Sequence, residues 1–359
     1  MSILTLLFSA LVFPLHGSSA SGSHCCTKLR STFGNYVLFP DSLEYNTSVS
    51  SYFYMEQRTS PSCIIAPRDV EEVAAVLRSL QSCKDVEVAV RSGGHSPNQF
   101  FSNAKNGVTI DLRGLNSIVP KEDENIVAVG TGARWRDVYS ILDPLGRTVV
   151  GARVASVGVG GFLSGGNELT ITRGGISFFS PSEGFGCDNV RNMQVVLANG
   201  TVVDANSRSN PTLFRALKGG QNNFGIITRF DLKLKKVSKF WGGAILSPGA
   251  ADPAQLDAFT TFKLGIYDPL LEIEQTFVYY GSQNSSFSSN NLFYLNDGTN
   301  TSALDRFTQI RPQITLTKAL AKICTLGKKS FSMVCERGMT ISTMDLHIAD
   351  SPTNAQHLA

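Results

Sequence analysis

His95 is the residue from which chemistry can be argued first. It stands in "VRSGGHS", residues 90–96, directly after two glycines and at the end of the strand-like run "VEVAV". The chain has five histidines, His16, His24, His95, His347 and His357, so His95 is the only imidazole between residues 25 and 346. Imidazole titrates near neutral pH, and its neutral form serves as nucleophile, base or metal ligand. A metal centre at His95 would need carboxylates to complete it, and no acidic constellation accompanies it. No CxxC occurs, so zinc is not indicated and no metal is expected. A hydrolytic triad is not indicated either, because GxSxG is absent.

The glycines suggest what surrounds the histidine. There are 32, gathered in four loops: Gly93-Gly94, Gly158 to Gly175, Gly184 to Gly186, and Gly219 to Gly225. Without a Cβ, a loop can bring its backbone N–H groups close to an anion. Four such loops at strand ends, one carrying the central histidine, predict a nest for a phosphate-rich cofactor. It is not the standard dinucleotide fingerprint: "GVGGFL" has Leu163 where the last glycine is needed, and "GTGARW" fails in the same way. No GxxxxGK[ST] is present, so P-loop chemistry is not expected.

Several elements must position these loops. "PRDVEEVAAVLRSLQS" reads as a helix with Val70, Val73, Leu77 and Leu80 on one face. Strands are expected at 86–90, 107–112 and 125–132. "RWRDVYSILDPLG" is a helix ended by Pro144 and Gly146. "VRNMQVVLANGTVVDAN" is a hairpin turning at Asn199-Gly200. "NPTLFRALKGG" is a short helix with Asn210 as cap and Pro211 at its first position. "GIITRFDLKLKK" alternates, which predicts a strand with one face in water. Short strands mixed with helices over 60–236 indicate an α+β domain. After Lys236, "FWGGAILSPGAADPAQLDAFTTF" and "EIEQTFVYYGSQ" predict strand, turn, helix and strand in a second domain.

The chain has 359 residues, 42% hydrophobic and 17% charged, enough for two domains. A net charge of +3 without a basic block argues against nucleic acid. Residues 3–15 are mostly apolar and too short to span a bilayer. Ser18-Ser19-Ala20 fits a signal-peptidase site, so residues 1–20 are expected to be a signal peptide and the protein to be secreted. Cys25, Cys26, Cys63 and Cys83 suggest two disulfides, with three pairings open. Asn46, Asn199, Asn284 and Asn300 lie in glycosylation sequons.

Taken together, "RSGGHS", "VASVGVGGFLSGG", "GGISFFSPSEGFGCDNV" and "ALKGGQNNFGIITRFDLKL" resemble the flavin-binding domain of the vanillyl-alcohol oxidase/p-cresol methylhydroxylase (PCMH) type. The similarity is to its berberine-bridge-enzyme-like branch of fungal FAD-linked oxidoreductases. The resemblance implies a PCMH-type FAD-binding domain of two small α/β subdomains over residues 59–236. A disulfide-bearing segment, 21–58, would precede it, and a partial α+β substrate domain, 237–359, would follow. It implies covalent attachment of FAD through His95, with Gly93 and Gly94 letting the loop pass the pyrophosphate and Arg91, Ser92 and Ser96 adding donors. Ser156, Val157, Gly158, Gly160 and Gly161 would form a second cofactor loop. Gly219, Gly220, Asn223 and Gly225 would lie toward the adenine side or simply support the fold, and Ile226 is a further cofactor-binding candidate. Val154 stands where relatives with a doubly attached flavin carry cysteine, so a single bond is expected.

The implied activity is hydride transfer from a small organic substrate to the flavin, with O2 as acceptor and a monomeric enzyme without membrane span. A carbohydrate oxidase and a non-catalytic remnant are the alternatives. Residues 167–173 are an insertion relative to the pattern, and residues 320–359 match none of it. No catalytic base is assigned; Tyr279 and Tyr280 are candidates to face the ring.

Overall fold

The computed structural model describes residues 19–167, 170–236, 240–266, 268–296 and 302–321. Residues 1–18 of the expected signal peptide and the tail after 321 lie outside these residues, while Ser19 and Ala20 begin the first helix.

The first sheet has four strands in the order Val37–Leu38, Cys63–Ile65, Val108–Asp111, Val88–Arg91, with the last three parallel. Parallel strands need crossover connections, and the Val70–Leu80 helix supplies one. Asp69 caps it by accepting from the Glu72 amide at 2.7 Å. Val73, Val76 and Leu80 are buried, while Val70 and Leu77 only flank that core. The Ser19–Phe33 helix, which the sequence reading did not anticipate, is pinned to this unit by Cys25–Cys83 and Cys26–Cys63. That resolves the pairing left open above. Cys187, outside both bridges, is buried. The Cys26–Cys63 bridge spans 37 residues. Replacing both by serine is expected to lower stability by roughly 2–4 kcal/mol, read as a shift in denaturant midpoint. An unchanged midpoint would mean that packing around Leu29 alone holds the helix.

The second sheet is antiparallel, in the order Val202–Asn206, Val190–Val196, Ile226–Lys233, Ile126–Gly130, Ile118–Lys121. The hairpin turns where expected, with Gly200 at φ +81° and Val196 opposite Val202. Two expectations need correction. The Ile226–Lys233 strand does not have one face in water: it is the central strand, and Ile227 and Asp231 on its second face are buried. Asp231 tolerates this because Arg229 and Asn192 donate to it. Asn210 precedes the Pro211–Leu217 helix but does not cap it; its side chain donates to Asp204 O at 2.8 Å.

The third sheet runs Leu271–Tyr280, Ser285–Tyr294, Phe240–Pro248, Thr315–Ala321, all antiparallel. The Asp252–Leu264 and Ser302–Thr308 helices cover one face around Ile245, Leu292 and Phe307. The opposite face meets the second unit, where Phe293 packs edge-on to Phe178 with ring centres 4.6 Å apart. Side chains on a strand alternate between faces, so Glu272, Glu274 and Tyr280 share one face and Tyr279 takes the other. Around the expected insertion, the short strands Gly166–Asn167 and Thr170–Arg173 pair antiparallel, and Gly174 N–H donates to Gly165 O beside them. No helix among the described residues is long and apolar enough to cross a membrane.

Candidate functional site

The Val88–Arg91 strand delivers the histidine loop to the seam between the first two units. There the loop meets residues 156–161. A Cβ on Gly93 would lie 2.4 Å from Gly158 N, and one on Gly158 would lie 2.4 Å from Gly93 N. Real Cβ atoms do not approach backbone so closely, so glycine on both sides is what lets the two chains touch. Gly94 adopts φ +69°, and its carbonyl accepts from the Phe53 amide at 3.0 Å. Gly160 packs against the Thr131 hydroxyl, where a Cβ would come within 2.3 Å.

Arg134 ties the loops together. Its guanidinium donates to Ser156 O and, at 3.2 Å, to Gly93 O. His95 Nε2 lies 3.0 Å from Ser156 Oγ. The imidazole stacks on Phe53 at 3.8 Å, with Tyr54 edge-on beyond it. Burial, and next the positive charge of Arg134, push the His95 pKa down to about 4. The ring is therefore neutral at pH 7, the state in which its nitrogens are nucleophilic.

The other sequence-selected residues divide. Ser92 Oγ donates to Thr131 O at 2.7 Å, and Ser96 Oγ accepts from the Asn98 amide. Val157 is half-buried, and its carbonyl accepts from Trp135 N–H. Gly161 is exposed, with nothing within 4 Å of where a Cβ would stand. Arg91 is not a phosphate donor. It is fully buried, donates to Ser48 and Ser51, and lies 3.7 Å over the Tyr52 ring, with Asp111 beside it. A buried guanidinium is retained only where such partners hold it, and they turn it away from the loop surface. Gly220 is crowded by Ala216 O. Gly225 takes φ +136° beside Val195 and Val196. Ile226 is part of the core. Internal packing thus accounts for these three residues. Tyr279 is exposed and donates to Asn284, whereas Tyr280 stacks on Phe287.

Sequence reasoning missed Arg134 and Phe53. Arg134 stood in the rejected fingerprint "GTGARW", where a cation directly after a glycine turn was the available signal. Nothing in the local sequence marks Phe53, which reaches His95 through the fold.

The described geometry can be set beside known proteins. Residues 61–206 match the model of an FAD binding domain. The FAD-dependent monooxygenase tpcD of Cochliobolus heterostrophus is 41% identical over 249 residues, 68% of this chain and 43% of the relative. The FAD-dependent monooxygenase prx3 of Penicillium roqueforti is 35% identical over 314 residues, 84% of this chain and 60% of the relative. Among solved structures, the Physcomitrella patens BBE-like 1 protein superposes with a TM-score of 0.71 at 23% identity, covering 82% of this chain and 62% of that one. The carbohydrate oxidase from Microdochium nivale gives 0.70 at 20% identity, covering 87% and 65%. At such identities these likenesses speak for the fold alone. The chain spans about half the length of the curated relatives it matches.

Proposed function

We propose, for a chain whose residues 61–206 belong to the FAD-binding domain family and which is a homologue of fungal FAD-dependent oxidoreductases, that it oxidises a small organic substrate with FAD attached covalently to His95. The observation that carries this reading is the neutral His95, fixed by Ser156 and Phe53 beside two loops that meet through Gly93 and Gly158. These residues fit the cofactor. Gly161, in the short Val159–Ser164 helix, has open space where a Cβ would stand, which leaves room for a ligand there, and Arg134 holds the Ser156 carbonyl in place. Ser156 engages Nε2 and so fixes the ring's orientation toward the loops. Attachment would join a His95 ring nitrogen to a methyl carbon of the flavin ring in place of one hydrogen, and the two electrons and two protons released would pass to O2 as hydrogen peroxide.

Bound FAD supplies a two-electron acceptor for a substrate hydride. The chain's own part is to seat the ring between the loops, the second of which Arg153 ties to Glu272 and Glu274 of the third sheet. The two disulfides suit an oxidising compartment, which supports secretion.

The test is to purify the protein, record its visible absorbance, and follow peroxide release with panels of alcohols, amines and oligosaccharides. Flavin bands with peroxide from alcohols or amines support the proposal. Peroxide from oligosaccharides alone would move the reading to a carbohydrate oxidase. A colourless protein that takes up no added FAD would overturn it.

A further inference from the structure

The second cofactor loop is tied to the third sheet at Arg153, three residues before Ser156. One nitrogen of its guanidinium, Nη1, lies 2.5 Å from Glu272 Oε1 and 2.6 Å from Glu274 Oε1. The Glu272 and Glu274 side chains are only 7% and 12% exposed, against 27% for Arg153. Asn291, on the paired strand, approaches Glu274 at 3.5 Å. Glu272 Oε2 is buried and has no hydrogen-bond partner among the described residues.

Two buried carboxylates facing one cation cannot both stay ionised cheaply. One guanidinium compensates one carboxylate, and the uncompensated charge would bear the desolvation cost alone. The pair reduces that cost by retaining a proton, and the partnerless Glu272 Oε2 has room for it. We propose that Arg153, Glu272 and Glu274 form a one-proton clasp that locks the loop carrying Ser156 to the third sheet. Arg153 is thus a positioning residue for His95. Its consequence for flavin rests on the cofactor reading above; the clasp itself does not.

The titration follows from the arrangement. Burial, opposed by Arg153 and reinforced by the neighbouring Glu274, raises the Glu272 pKa to about 7, and Glu274 is raised as well, chiefly by burial. Arg153 and Glu274 are the charged groups that act on Glu272. The paired strand presents Phe293 and Asn291, which do not titrate. A carboxyl raised on folding keeps its proton where the unfolded chain has released it. Its contribution is complete below about pH 4.5 and is lost as pH rises through about 7.

Thermal unfolding of the wild type, Glu272→Gln and Glu274→Gln should be recorded from pH 4 to pH 8. Glutamine keeps the size of the side chain and removes its charge. The Tm of each variant minus that of the wild type is expected to climb by a few degrees between about pH 4.5 and pH 7 and then to level off. A difference that stays constant with pH would overturn the clasp, whether or not the protein holds flavin. For positioning, Arg153→Leu is expected to cut the flavin retained after acid precipitation several-fold, and Arg153→Lys to restore part of it. Wild-type retention in Arg153→Leu would overturn that role.

Discussion

His95→Ala is expected to leave a colourless pellet after acid denaturation and washing, and the wild type, with its flavin attached as proposed, is expected to keep its absorbance. Alanine removes the imidazole that the proposal makes the point of attachment. It leaves Gly93, Gly158 and Arg134 in place, so FAD is expected still to bind, without the bond, and to wash out on denaturation. His95→Gln is the closer control, because its amide can still bond to Ser156 Oγ. If glutamine also gives a colourless pellet, the loss is chemical rather than structural. A wild-type pellet without flavin would strip His95 of its assigned role. The same residue has a pH signature. Its pKa falls on folding, so its contribution is present above about 6.5 and is lost as pH drops toward about 4. That slope opposes the one from Glu272 over much of the same range. Single variants at the two positions therefore tilt the stability profile in opposite directions.

Trp135→Ala is expected to cost about 3–5 kcal/mol, the range for truncating a buried aromatic. Trp135 is fully buried and starts the Trp135–Leu142 helix, packing edge-on against Phe162 at 5.1 Å and beside Tyr139. A Cβ on Gly151 would come within 2.3 Å of its ring, so the second loop begins directly on this indole. Its amide also donates to Val157 O in the same loop. The cavity would loosen the support under Ser156, and flavin retention should fall together with the denaturant midpoint. Trp135→Phe should cost less than alanine, since it keeps a ring there and removes an indole N–H that has no hydrogen-bond partner among the described residues. Equal losses for the two variants would show that the indole's own shape, rather than filled volume, supports the loop.

Much of the site was legible in the chain because its signals are local. A strand ending in two glycines and a histidine, a hairpin at Asn199-Gly200, and a helix opening on Pro211 rest on turn chemistry and periodicity within a dozen residues. Sequence alone determined that His95 sits among glycine loops, that four early cysteines form two bridges, and that an α+β flavin-type domain precedes a further sheet. Only the tertiary structure decided which cysteines pair, and that Arg91 turns inward to Ser48 while Arg134 reaches both loops. It also decided that Arg153 meets Glu272 across 119 residues. These outcomes depend on which buried charges find partners once the sheets have assembled. No window of sequence contains both partners, so electrostatic satisfaction across the fold settled them.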